Sequence, residues 1–240
     1  MTGISVIMPS YLGEYPGSRK DPEKKFIRAV ESFLLNEINN KELIIVSDGC
    51  DVTNRIYKEM FEQYDFIKLV QVEKREATWP GELRECGRSL AKYDWITYLD
   101  TDDIYQPMHL YSVVKTILDK SSGTTLLLDT KYTFPIVKDP NEIMLAYLGM
   151  DINAYNEFRS KLKPNNLYGE CLASSRSMGH NGTWQITHHK EVPHRWQNTT
   201  EMGEDKSFIE RMKSTEKWEE FTGYYLICHN TKDRKTIWEM

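Results

Sequence analysis

A single α/β domain, with a mainly parallel sheet covered by helices on both faces, is the fold class this sequence predicts. Three observations predict it. Three strand-helix units follow one another within the first hundred residues, the strand segments are short apolar runs closed by turn residues, and no linker, internal repeat or low-complexity tract divides the chain. Residues 1–105 read as a nucleotide-binding type of front half, and residues 106–240 as a less regular back half.

The first strand runs from Ile4 to Met8 and opens at Pro9-Ser10-Tyr11 onto a loop punctuated by Gly13, Pro16 and Gly17. Asp21-Pro22-Glu23 then supplies a helix start, with Pro at the first helical position and Phe26, Ile27, Val30, Phe33 and Leu34 on one face. Leu43 to Val46 is the second strand. It breaks at Ser47-Asp48-Gly49-Cys50-Asp51 before the helical spacing of Ile56, Met60, Phe61 and Tyr64. Phe66 to Val72 gives the third strand, Gly81 to Lys92 a helix with Leu83, Leu90 and Ala91 inward, and Trp95 to Leu99 the fourth strand. A helix carrying Leu110, Val113, Val114, Ile117 and Leu118 leads to a strand at Thr124 to Leu128. Beyond it, helices are expected around Ile143 to Leu148, at Tyr155 to Leu162 and after Glu204 with Phe208, Ile209 and Met212 inward, and a last strand at Tyr224 to Cys228.

Composition narrows the function classes. Of 240 residues, 31 are basic and 36 acidic, a formal charge of −5 with no basic block, which argues against a sequence-independent grip on nucleic acid. The four cysteines form no CxxC pair, and His180, His188, His189 and His194 fit no zinc spacing. No signal-peptide core and no apolar run near the ~20 residues of a membrane span is present, so the expected place is the cytoplasm, free or peripheral to a membrane. No GxGxxG follows a strand, no GxxxxGK[ST] occurs, and no serine-hydrolase elbow is found.

In open parallel sheets ligands bind at the carboxyl ends of the strands. Pro9-Ser10-Tyr11, Ser47-Asp48-Gly49 and Asp100-Thr101-Asp102-Asp103 stand at three such ends. In an extended segment Asp100 and Asp102 point to the same side, a hard-oxygen pair suited to Mg²⁺ or Mn²⁺ carrying a diphosphate. Asp102 or Asp103 could instead cap a helix beginning near Pro107, and Asp48-Gly49 could be a plain turn.

SVIMPSY (Ser5 to Tyr11), VSDGCD (Val46 to Asp51), RECG (Arg84 to Gly87), WITYLDTDD (Trp95 to Asp103) and GED (Gly203 to Asp205) occur in this order. In these landmarks the chain resembles the family 2 glycosyltransferases of GT-A fold, which move a sugar from a nucleotide-sugar donor with inversion. The resemblance implies nucleotide contacts at Pro9, Tyr11, Asp48, Arg84 and Asp100, and a metal held by Asp100, Asp102 and His229. It implies Asp205, with Glu204 as the alternative, as the base that takes the acceptor's proton. Both acids also suit a plain acidic first helical turn, and His229 could be an ordinary surface or core histidine. The Gly179 to His189 stretch, with Trp184 and Gln185, is expected to form an acceptor wall, since an indole face and an amide suit a sugar, although Trp184 could equally be core.

Departures from the family pattern are Ser47, where many members carry a second acid, Cys50 in place of Ser, and Glu85 where Asn is common. Processive members carry Gln-x-x-Arg-Trp after the base; here Arg195-Trp196 precedes Glu204, so transfer of a single sugar is expected. The reading is therefore a metal-dependent inverting transfer, with Mn²⁺ or Mg²⁺, from a nucleotide sugar, first of all a UDP-sugar, to a glycan or lipid-linked acceptor hydroxyl in glycan or polysaccharide biosynthesis. The alternatives are a sugar-1-phosphate nucleotidyltransferase, whose Gly-rich, Arg-containing loop after strand one is not matched by Gly13, Gly17 and Arg19, and a non-catalytic nucleotide-sugar binding module.

Overall fold

A computed structural model describes residues 2–14, 21–75, 79–130, 132–135, 145, 151–160, 171–173, 182–197, 203–223 and 225–226. Strands β1 (Ile4–Ser10), β2 (Lys41–Asp48), β3 (Ile67–Val72) and β4 (Trp95–Tyr98) lie side by side, parallel, in the order β4-β1-β2-β3. β1 is buried along its whole length, as a parallel strand covered on both faces must be. Alternation divides its side chains: Ile4, Val6 and Met8 join Phe26, Val30 and Phe33 of helix α1 (Pro22–Leu34) on one face. Ile7 points to the other face and joins Tyr98 and the later Phe208, Ile209 and Met212. Each fully buried side chain of this size contributes roughly 1.5–3 kcal/mol.

Helix α2 (Asp51–Ile56) continues as a π turn over Tyr57–Phe61, and helix α3 (Gly81–Ser89) follows β3. α3 lies directly on the sheet. A Cβ at Gly87 would stand 2.5 Å from Ile7 Cγ2, so only hydrogen fits where the helix crosses β1. That close approach fixes Arg84, one turn earlier, at the carboxyl edge. Pro22 opens α1 as expected, but Asp21 caps it without a side-chain hydrogen bond and sits at φ 53°.

Strand β5 (Ile104–Tyr105) precedes helix α4 (His109–Asp119), whose Leu110, Val113 and Ile117 pack on the α1 face. Next come β6 (Leu126–Asp129), β7 (Tyr132–Pro135), helix α5 (Ile152–Ser160) and β8 (Cys171–Ala173). A 3₁₀ turn at Thr183–Gln185 leads into β9 (Ile186–His189), then helix α6 (Glu204–Thr215), β10 (Trp218–Phe221) and β11 (Tyr225–Leu226). The main sheet has seven strands in the order β10-β6-β9-β4-β1-β2-β3, with β9 antiparallel between β4 and β6. A four-stranded sheet, β5-β11-β7-β8, stands beside it.

Several expectations are corrected. α3 ends at Ser89, so Leu90 falls past its last turn and is 49% exposed; Met60 and Leu118 also face outward at 37% and 67%. β5 stands between the acidic turn and α4, whose N-cap is Met108, so Asp102 and Asp103 do not cap that helix. The expected helix at Ile143 to Leu148 lies, apart from residue 145, outside the described residues. No helix among the described residues is long and apolar enough to cross a membrane.

Candidate functional site

Three strand ends meet at the carboxyl edge of the main sheet. β1 delivers Pro9 and, just beyond it, half-buried Tyr11; Ser10 Oγ lies 2.8 Å from Thr53 Oγ1 and ties the strand end to α2. β2 ends at Asp48, and Gly49 turns with φ 56°. A Cβ at Gly49 would stand 2.6 Å from the backbone nitrogen of Lys74, so the chain leaving β3 closes against this glycine. The closure puts the Lys74 ammonium 5.2 Å from the centre of the Tyr11 ring and lays Arg75 along Asp48. Asp48 Oδ1 accepts from Arg75 N at 3.0 Å and Nε at 3.2 Å, and Oδ2 accepts from Nη2 at 3.2 Å.

Arg75 was not among the residues expected here. Its signal was available, because Glu73-Lys74-Arg75 stands at the end of the third strand, where the rule applied to strands one, two and four holds equally.

Beyond β4 the chain does not stay extended. Asp103 N–H donates to Asp100 O at 3.2 Å, closing residues 100–103 into a turn, and this turn rather than strand alternation brings the acids together. Arg28 of α1 donates from Nη2 to Asp102 O at 3.3 Å, and Asp100 N–H donates to Tyr225 Oη at 3.2 Å. Asp103 is fully buried.

Arg84 joins this turn to α6. Its Nη2 donates to Asp100 Oδ1 at 3.1 Å, and its Nη1 donates to Asp205 Oδ1 at 3.1 Å and to Glu204 Oε1. One guanidinium, 4% exposed at its side chain, therefore faces three carboxylates. Burial works against its charge, yet Asp205, Asp100 and Glu204 outweigh burial and hold its pKa above the ordinary value. Burial pushes Asp100 up to about 6, with Arg84 opposing and Asp103, Asp205 and Asp102 adding to the rise. Burial likewise raises Glu204 to about 7, against the pull of Arg84.

The two candidate bases differ in exposure. Glu204 is 4% exposed and gives one oxygen to Arg84, whereas Asp205 is 28% exposed on the same helical turn. Gly203 begins the turn at φ 106°, a conformation L side chains avoid, with nothing within 4 Å of where its Cβ would stand.

The remaining expected residues are placed as follows. Gln185 is buried; its Nε2 donates to Asp129 O at 3.0 Å and its Oε1 accepts from Gly182 N at 3.2 Å. With both ends of its amide bonded to backbone it supports the 3₁₀ turn. Ile186 to His189, read as part of an acceptor wall, is the antiparallel strand β9 inside the sheet. The Trp184 side chain and the whole of His229 lie outside the described residues.

Among the described residues no group of three or more His, Cys, Asp or Glu is arranged to hold an ion. The donor chemistry nonetheless suits a hard divalent cation: Asp100 and Asp102 are carboxylates of one turn, and Asp102 adds to the rise in the Asp100 pKa.

The sequence matches the family described as Glycosyl transferase family 2 over residues 5–177. An uncharacterised glycosyltransferase of Mycoplasma genitalium is 29% identical over 106 residues, 42% of this chain and 33% of that protein. Glycosyltransferase GlyG of Streptococcus pneumoniae is 24% identical over 124 residues, 51% of this chain and 38% of that protein. Among solved structures, S. aureus TarS 1–349 in complex with UDP-GlcNAc is similar with a TM-score of 0.63 at 16% identity, covering 98% of this chain and 60% of that one. The same TarS fragment with UDP gives 0.58 at 16% identity, covering 95% of this chain and 60% of that one. The aligned part thus spans about a third of the curated relatives and three-fifths of the structural neighbours.

Proposed function

The chain belongs to glycosyl transferase family 2, and we propose that it moves one sugar, with inversion, from a UDP-sugar to an acceptor hydroxyl in glycan or polysaccharide biosynthesis. The observation that carries the reading is Arg84, which spans the donor-side acid Asp100 and the candidate base Asp205 in one guanidinium. An inverting displacement needs its base and its leaving-group stabiliser on opposite sides of the reacting carbon, and residues on two elements linked by one rigid cation supply that separation.

The nucleotide lies along Pro9, Tyr11 and Asp48 in this reading. Asp48 with Arg75 offers an acceptor beside donors, the complement of a uracil edge, whose N3–H donates and whose carbonyls accept. TarS, the structural neighbour bound to UDP and UDP-GlcNAc, is consistent with that choice. Asp100 and Asp102 would hold Mn²⁺ or Mg²⁺, with His229 as a third ligand. When bound, the ion neutralises charge on the departing diphosphate. Asp205 takes the acceptor's proton, while Glu204, buried against Arg84, keeps that guanidinium directed toward Asp205.

Donor binding by calorimetry tests this. UDP, GDP, CDP and dTDP are titrated with Mn²⁺ present or chelated, into wild type and Asp102→Ala. The expected result is Mn²⁺-dependent binding of UDP ahead of the others, lost in Asp102→Ala; no binding by any of the four would end the glycosyltransferase reading of this site.

A further inference from the structure

Arg84 is anchored within its own plane only toward the site. Its terminal nitrogens reach Asp100, Asp205 and Glu204, while its buried Nε has no acceptor among the described residues. Those hydrogen bonds hold the edge of the plane, and its face rests on an aromatic ring. The guanidinium carbon lies 4.8 Å from the centre of the Trp196 ring, and Trp196 is 5% exposed. Arg195-Trp196 precedes Glu204 and so does not match the processive motif, and the donor and base assignments leave it unused.

The indole is itself locked. Trp196 Nε1–H can only donate, and it donates to Tyr98 Oη at 2.8 Å. Tyr98 must then direct its own O–H elsewhere, and His188 Nε2 stands 2.8 Å away. That nitrogen is therefore a lone pair, and the ring proton sits on Nδ1, 2.9 Å from His189 O. One arrangement of protons satisfies every group in the chain, and it needs a neutral imidazole. Burial, with help from the nearby Arg88 charge, lowers His188 to about 3, in agreement. The indole also stacks on Phe208 at 4.0 Å and 23°, and Trp196 N–H donates at 3.3 Å to Glu85, the neighbour of Arg84 on α3.

We propose that Trp196 is a positioning residue for the transfer: its indole, fixed by Tyr98 and His188, sets the plane in which Arg84 bridges Asp100 to Asp205. The inference rests on the glycosyltransferase reading for its consequence, though not for its geometry. Without the indole face the guanidinium can tilt away from one of its carboxylates. The base and the donor-side acid then lose their common reference, and misplacement of about 1 Å costs up to roughly 100-fold in rate.

Trp196→Leu removes the face; Trp196→Phe keeps a smaller face without the N–H; Tyr98→Phe leaves the face but removes the oxygen that holds the N–H. Two readouts are taken on each folded variant and on wild type. The first is steady-state release of UDP from UDP-GlcNAc with Mn²⁺ and water as acceptor. The second is modification of Arg84 by phenylglyoxal, followed by peptide mass spectrometry. Trp196→Leu is expected to lose about 10- to 100-fold in kcat while the donor KM stays within about threefold, with Trp196→Phe between it and wild type. Arg84, protected in wild type, becomes reactive in the same order. A merely structural tryptophan would lower the melting temperature without separating kcat from KM. Trp196→Leu or Trp196→Phe folded, with unchanged kcat and Arg84 still protected, would overturn the inference. Wild type without UDP-GlcNAc turnover, together with graded Arg84 labelling, would support the positioning role and count against the donor reading. Turnover with labelling that ignores residue 196 would do the reverse.

Discussion

Replacing Arg84 by Met removes the cation that pairs with Asp100, Glu204 and Asp205 while keeping the length and apolar stem of the side chain. Glu204, at 4% exposure, is too buried for water to replace the lost partner. Breaking a buried ion pair from one side costs about 3–5 kcal/mol, which sets the expected loss at pH 8. The loss should depend on pH, with a definite sign. Asp100 and Glu204 already have folded-state pKa values of about 6 and about 7, above their ordinary values of 3.8 and 4.5. A carboxyl with a raised folded pKa costs nothing below its unfolded value; the cost grows as pH climbs from that value to the folded one and is full above it. Arg84 holds both values down; without it they rise further, and the folded variant keeps its protons to higher pH. The deficit of Arg84→Met should therefore shrink to about 1–2 kcal/mol at pH 5, where only the lost hydrogen bonds and stacking remain. Urea unfolding followed by circular dichroism, with EDTA present, measures both numbers. At roughly 2–4 °C per kcal/mol, the melting point at pH 8 should fall by about 6–20 °C. An equal deficit at pH 5 and pH 8, or one below about 1 kcal/mol at pH 8, would refute the view that Arg84 compensates buried carboxylates.

Asp205→Asn should lower UDP-GlcNAc turnover by about 10²- to 10⁴-fold with UDP affinity retained in calorimetry, because it removes a proton acceptor without touching the nucleotide contacts. Glu204→Gln should flatten the fall in stability between pH 4.5 and about 7 that the raised pKa of Glu204 produces, read from melting temperatures across that range. Gly203→Ala forces a Cβ onto φ 106° and should destabilise by about 1–2 kcal/mol, measured by urea unfolding, while reducing turnover because the strain falls on the first turn of α6. Burial lowers His109 and His188 to about 3, so their ring-proton NMR shifts should stay flat between pH 8 and pH 5; an inflection near 6.5 at His188 would break the proton arrangement deduced for Tyr98 and Trp196.

The front half was legible because its strands are buried on both faces and bounded by turn residues. Ile4 to Met8 and Leu43 to Val46 fall inside β1 and β2, and the strand-end rule put Asp48 and Asp100 on one edge without any motif. The back half hid its strands for a physical reason. β9 reads Ile-Thr-His-His and looks like a polar loop, yet His188 bonds Tyr98 and Thr97 Oγ1 bonds Ile186 O at 3.1 Å, so its polarity is satisfied inside the sheet. β10, Trp-Glu-Glu-Phe, is an edge strand with its charges outward, and β5 and β11 are two residues each, too short for any periodicity. Arg84 could be placed from its motif, but not its three partners, which come from the turn after β4 and from a helix more than a hundred residues away.

That long-range convergence is poor economy for stability. A buried guanidinium facing three carboxylates leaves unmatched negative charge, and a well-packed apolar cluster of the same volume would hold α3 against α6 as well or better. The local rules that govern the rest of this face, with Gly87 seated on Ile7 and Phe208 stacked on Trp196, are followed closely. The site departs from them. Raised carboxyl pKa values and an excess of hard oxygens at the end of a parallel sheet are what a bound cation would relieve, and the proposed metal-bound donor would bring one.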